Sequence, residues 1–116
     1  MAKNDNLGEF EQLALLAVMR LGDRAYGARI QQELDRIAGR SAAISTIYIT
    51  LTRLESKGMV RSSMVAPEDE RGGKARRYFA IEQEGLEALR EARGRLLSMW
   101  DGLEGELDRG VSARGA

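Results

Sequence analysis

The amino-acid sequence predicts a mainly α-helical chain with one small β-hairpin, an α+β class. Three observations carry this. Apolar residues recur at helical spacing in three consecutive segments before residue 58. Two short β-prone runs then flank a charged, glycine-containing tip. Beyond them, leucines and one tryptophan spaced alternately three and four residues apart extend from Leu86 to Leu107.

The first helix is expected from Phe10 to Gly22. Phe10, Leu13, Ala14, Ala17 and Leu21 keep helical spacing, while Leu15, Leu16, Val18 and Met19 widen the apolar arc beyond one stripe. Such a helix needs a second surface to cover it. The next helix, Asp23 to Gly39, has Asp23 as its expected N-cap and Tyr26, Ile30, Leu34 and Ile37 along one face. A third runs from Ile44 to Gly58 with a core stripe of Ile44, Ile47, Leu51 and Leu54. Its other face carries Ser45, Thr46, Tyr48, Ile49, Thr50, Thr52 and Arg53, and Gly58 permits a left-handed C-cap.

Met59–Val65 and Arg76–Ile81 read as antiparallel strands joined by a projecting loop from Ala66 to Ala75. From about Gln83 to Asp108 one long helix is expected, its seam of Leu86, Leu89, Leu96, Trp100, Leu103 and Leu107 interrupted at Arg93. Gly94, Gly102 and Gly105 each weaken it by ~1 kcal/mol relative to alanine, so it must pack on something. The organisation is thus a first domain over residues 1–82, a C-terminal dimerisation helix over 83–108 and a disordered tail over 109–116.

Composition narrows the function classes. An apolar fraction of 43% with 31% charged residues is that of a globular chain. No apolar run is long enough to span a bilayer and no signal-peptide core opens the chain, so no membrane partner and a cytoplasmic location are expected. The chain has neither cysteine nor histidine. That removes thiolate chemistry, the commonest general base and the commonest transition-metal ligand, so no enzyme, metal site or cofactor is expected. Formal charge sums to zero but is uneven: Arg20 to Arg61 holds eight basic and four acidic residues, Glu84 to the end five and seven.

Helix, helix, helix, strand, charged loop, strand is a helix-turn-helix with an appended hairpin, the winged-helix arrangement. In such a domain the third helix enters the DNA major groove and the hairpin follows the backbone or minor groove. Ser45, Thr46, Tyr48 and Thr50 offer hydroxyls on the third helix, and Arg53 a guanidinium for phosphate. Arg71, Lys74, Arg76 and Arg77 can neutralise phosphates from the wing, where Gly72 and Gly73 allow close approach. Glu68, Asp69 and Glu70 shape the loop or limit non-specific binding. The Glu84, Glu87 and Glu91 cluster reads as a solvated helix face.

The segments "LGEFEQLALLAVMRLGDRAYGARIQQEL", "GRSAAISTIYITLTRLESKGMVRS", "ERGGKARRYFAI" and "EGLEAL" resemble the PadR family of bacterial transcriptional regulators. Tyr48, Leu51, Leu54, Glu55, Gly58 and Val60, followed by the glycine-basic wing and Tyr78, are the most diagnostic. The sequence departs from the family where Ala43 stands for a common Ser or Thr N-cap, leaving Ser41 or Ser45 to serve, and where Glu82-Gln83 replaces a Thr-Pro pair. The resemblance implies a repressor that binds a palindromic DNA operator as a homodimer, with Phe10 and Leu16 of the first helix joining the seam in the interface. It also implies release by a small aromatic or phenolic effector. By the same resemblance, Trp100 with Leu96, Met99, Leu103 and Met19 would line a cavity at the dimer centre; Trp100 as a plain interface anchor is the alternative. A winged-helix protein-interaction module without DNA binding is the competing function.

Overall fold

The computed structural model describes residues 7–66 and 75–110. Helix α1 spans Glu9–Leu21 and opens with the Glu11 carboxylate accepting the Gly8 N–H at 2.9 Å. It buries Ala14, Leu15, Ala17, Val18 and Leu21 and leaves Leu16 and Met19 exposed. A 3-10 turn, Gly22–Arg24, follows.

Here the structure corrects the sequence reading. Helix α2 spans Gly27–Ala38, not from Asp23, and Tyr26 takes the N-cap position with extended backbone and no side-chain cap. Ala25 and Tyr26 are committed elsewhere: the Phe79 N–H donates to the Ala25 carbonyl at 2.9 Å, and Tyr26 bridges Tyr78 antiparallel. This short extended segment adds a third edge to the hairpin and fastens it to the helices.

Helix α3 covers Ile44–Ser56 and buries Ile47, Thr50, Leu51 and Leu54. That stripe is rotated from the expected one, so Ile44 is exposed and Thr50 is inside, only 5% exposed. The helix ends as predicted on Gly58, whose φ of 79° lets Gly58 donate to the Glu55 carbonyl and Met59 to the Leu54 carbonyl.

Strands β1 (Val60–Val65) and β2 (Arg76–Ile81) pair antiparallel, Val60 opposite Ile81 and Val65 opposite Arg76. Val60 and Phe79 join Leu15, Val18, Ile30, Leu34, Ile47, Leu51, Leu54 and Met59 in one core. Helix α4, Gln83–Trp100, starts against this core, with the Glu82 N–H donating to the Met59 carbonyl at 2.8 Å. Leu89 packs on the core, but from residue 93 to residue 105 every residue is exposed.

The long helix expected to reach Asp108 breaks after Trp100. Gly102 takes φ 85°, a conformation a helix cannot contain, and only a single turn, α5 (Glu106–Arg109), re-forms beyond it. Leu103 therefore lies in the turn and Leu107 in α5, off the seam of α4. Among the described residues no helix is long and apolar enough to cross a membrane.

Candidate nucleic-acid interface

Once Ile47, Thr50, Leu51 and Leu54 are buried, α3 presents Ser45, Thr46, Ile49, Thr52 and Arg53 to solvent. Neither Ser41 nor Ser45 caps the helix; Ala43 holds that position with no side-chain bond. The first-turn N–H groups thus meet no side-chain acceptor and lie at the positive end of the helix dipole, where a phosphate is favoured. Ile49 is 60% exposed in mid-helix, an apolar side chain on this open face that hydroxyl-based reasoning gives no role. Arg53 leans toward Glu11 at 3.8 Å while its side chain stays 53% exposed.

Two expected contacts sit differently. Thr50 is in the core and out of reach of a groove. Tyr48 is half-buried against the core, its ring 6.1 Å from that of Phe79 and its hydroxyl over Gly27, where an added Cβ would meet it at 2.6 Å. That places the Tyr48 hydroxyl beside the first residue of α2.

On the wing, neighbouring arginines have separate jobs because strand residues alternate sides. Arg76 is exposed, stacks over the Tyr26 ring at 4.3 Å and has no carboxylate partner among the described residues. Tyr26 is braced edge-on by Tyr78 at 5.3 Å. Arg77 instead turns inward: it donates to Glu55 Oε1 at 2.8 Å and to Ser62 Oγ at 3.1 Å, over the Phe79 ring. Glu55 also accepts the backbone N–H and the hydroxyl of Ser62. The Ser62 hydroxyl, above all, and then Arg77 hold the Glu55 carboxyl below its ordinary value, against the upward push of burial.

Glu55 thus ties the end of α3 to both strands, and Arg77 is a positioning residue more than a free contact. Sequence reasoning missed the role of Glu55 and Ser62. The available signal was an acid in the last turn of a helix, where the dipole disfavours it unless a cation is near.

Arg71, Lys74, Gly72, Gly73, Glu68, Asp69 and Glu70 lie outside the described residues. The residues named for an effector are spread over exposed surface: Met19 on α1, Leu96, Met99 and Trp100 on α4, Leu103 in the turn. Leu16 and Leu107 are exposed, Leu86 half-buried, and Phe10 packs on the core beneath the Arg40 guanidinium. Among the described residues no three His, Cys, Asp or Glu side chains cluster to hold a metal.

A helix-turn-helix whose third helix keeps a polar face open, with a hairpin pinned to its end, is a winged-helix domain, the class of DNA-binding regulators. The family model described as transcriptional regulator PadR-like matches residues 15–91, and the chain belongs to that family, whose members regulate transcription and are not enzymes. A PadR family transcriptional regulator from Eggerthella lenta is similar, with 28% identity over 88% of each chain and a TM-score of 0.65. A PadR-like transcriptional regulator from Bacillus cereus shares the fold at 22% identity, covering 88% of this chain and 93% of the other, TM-score 0.66. A PadR family regulator from Clostridium difficile does so at 21% identity, covering 80% and 99%, TM-score 0.56. No curated protein matches the sequence.

Proposed function

We propose that the chain is a repressor acting in the cytoplasm as a homodimer on a palindromic operator and released by a small aromatic or phenolic effector. The observation that carries the reading is the open face of α3, with Ser45, Thr46, Ile49, Thr52 and Arg53 exposed on a helix whose N-terminus has no side-chain cap. Residues 1–82 form the DNA-binding unit. The start of α3 meets a phosphate, Ser45 and Thr46 reach phosphate or base edges, and Ile49 touches a thymine methyl. Arg76 and, beyond the described strands, Arg71 and Lys74 neutralise backbone charge. The Tyr48 hydroxyl and Arg53 hold phosphates at the edge of the groove.

The apolar residues of α1 and α4 supply the dimer contact, extended by Leu103 and Leu107 beyond the helix break. An effector wedged at Trp100 between two copies changes half-site spacing, and hence affinity. The test is fluorescence anisotropy with a duplex from upstream of the protein's own gene, across a salt series. Arg76→Gln is expected to weaken binding about five- to tenfold and to reduce the slope of log K against log salt by about 1. A wild-type chain that ignores the duplex at low salt, or a variant with unaltered slope and affinity, would overturn the reading.

A further inference from the structure

One flank of α2 has no part in the DNA reading. At 100° per residue, Arg29, Gln32, Glu33 and Arg36 share one side of the helix. They face Arg20 at the end of α1 and Arg24 in the 3-10 turn across a cleft of about 500 Å³. Gln31, which donates to the Ala42 carbonyl at 2.8 Å in the connection to α3, lies roughly opposite on the wheel. The cleft is therefore on the other side of α2 from the recognition helix.

Four guanidinium groups line this cleft against one carboxylate. Glu33, 9% exposed, is gripped by Arg20 at 3.0 Å and by Arg36 at 3.0 and 3.1 Å. Those hydrogen bonds, Arg36 first and Arg20 next, hold its carboxyl below the ordinary value despite burial, so the acid stays charged and both arginines are fixed. Arg24 and Arg29 pair with no carboxylate among the described residues, and Arg29 is half-buried. A partly desolvated guanidinium without a counter-ion is costly. Four guanidinium charges against one carboxylate leave a net charge of +3 along a concave surface, which focuses its field on whatever enters.

We propose that this cleft is an oxyanion site for a phosphate-bearing ligand, with Arg24 and Arg29 as direct donors and Arg20 and Arg36, oriented by Glu33, flanking them. Guanidinium forks match phosphate oxygens in pairs, and the Gln32 amide adds a neutral donor at the rim. The volume falls within the roughly 300–1,000 Å³ of small-molecule sites, but the lining is far too cationic for an apolar effector. Because the cleft faces away from the recognition helix, the phosphate is that of a small phosphorylated metabolite, and a duplex-backbone phosphate is the other outcome of the test.

Two arms separate these sources. Pyrophosphate is titrated into the full chain at constant ionic strength, following the arginine side-chain N–H signals by NMR, and duplex affinity is measured across a salt series. Both are repeated with Arg24→Gln/Arg29→Gln, which removes no ion pair. Arg24 and Arg29 signals that move with a Kd below about 1 mM, an affinity at least about tenfold weaker in the variant and an unchanged salt slope identify a free phosphorylated ligand. No pyrophosphate binding, but a slope lower by about 1 to 2 in the variant, identifies backbone phosphates. Failure of both arms overturns the site. Because the pyrophosphate arm needs no DNA, its result stands apart from the operator reading.

Discussion

Gly27 and Gly85 are both buried at the start of a helix, yet a methyl group would meet different things there. At Gly27 it runs into the outer end of the half-buried Tyr48 ring, the hydroxyl at 2.6 Å and ring carbons at 2.8 and 2.9 Å, which is side chain and not backbone. At Gly85 it meets the Met59 carbonyl oxygen at 2.5 Å, which is backbone and already accepts the Glu82 N–H. Overpacking costs about 1–3 kcal/mol and more where nothing can yield, less whatever the alanine adds in helix propensity. Gly85→Ala is therefore expected to lose at least ~2 kcal/mol in urea unfolding and Gly27→Ala ~1 kcal/mol. Equal losses, or the reverse order, would contradict this packing of α4 on the Met59 backbone between α3 and β1. The same scale separates Arg76 from Arg77, adjacent in sequence but facing solvent and carboxylate respectively.

The Glu55 latch belongs to the scale of elements, since it joins α3, β1 and β2 at one point. Its folded carboxyl lies below the ordinary value of 4.5, so the proton binds the unfolded chain more readily. The stability it contributes is present above that ordinary value and is lost as pH falls through the folded value. Unfolding free energies of wild type and Glu55→Gln should differ near neutrality and converge in acid, and the Ser62 amide should exchange faster in the variant. A gap that stays constant with pH would refute the latch. Glu33 carries the same sign, so the wild-type decline will not vanish entirely in Glu55→Gln.

Much of this level was legible from sequence: α1, α3, the hairpin and the Gly58 stop follow from periodicity and turn chemistry. The misreadings have physical causes. Ala25–Tyr26 is too short to show a strand period, so periodicity alone starts α2 too early, at Asp23. Ile44, Ile47, Leu51 and Leu54 form as good a stripe on paper as Ile47, Thr50, Leu51 and Leu54, and only packing chose between them. The Arg77–Glu55 pair spans 22 residues, a separation that no local pattern encodes.

At the scale of the whole molecule, the chain leaves more apolar surface uncovered than one copy has reason to expose. Leu16 and Met19 on α1 and Leu96, Leu97, Met99 and Trp100 on α4 are all open in the single chain. Patches of that kind mark contact sites, and the seam of α4 sets a spacing that a second helix can match. Burying a leucine or tryptophan side chain is worth about 1.5–3 kcal/mol, and interface anchors lose about 1–2 kcal/mol or more when cut to alanine. Leu96→Ala/Trp100→Ala is therefore expected to raise the dimer dissociation constant at least about a hundredfold while leaving the core, which neither residue enters, folded. Sedimentation should show wild-type dimer and variant monomer at the same concentration. Far-UV circular dichroism should differ only by what the projecting half of α4 loses. The wild-type Tm should climb with protein concentration and the variant's should not, because association stabilises only the folded state it binds. A wild-type chain that sediments as a monomer with a concentration-independent Tm would leave these side chains unexplained and would remove the second half-site from the DNA reading.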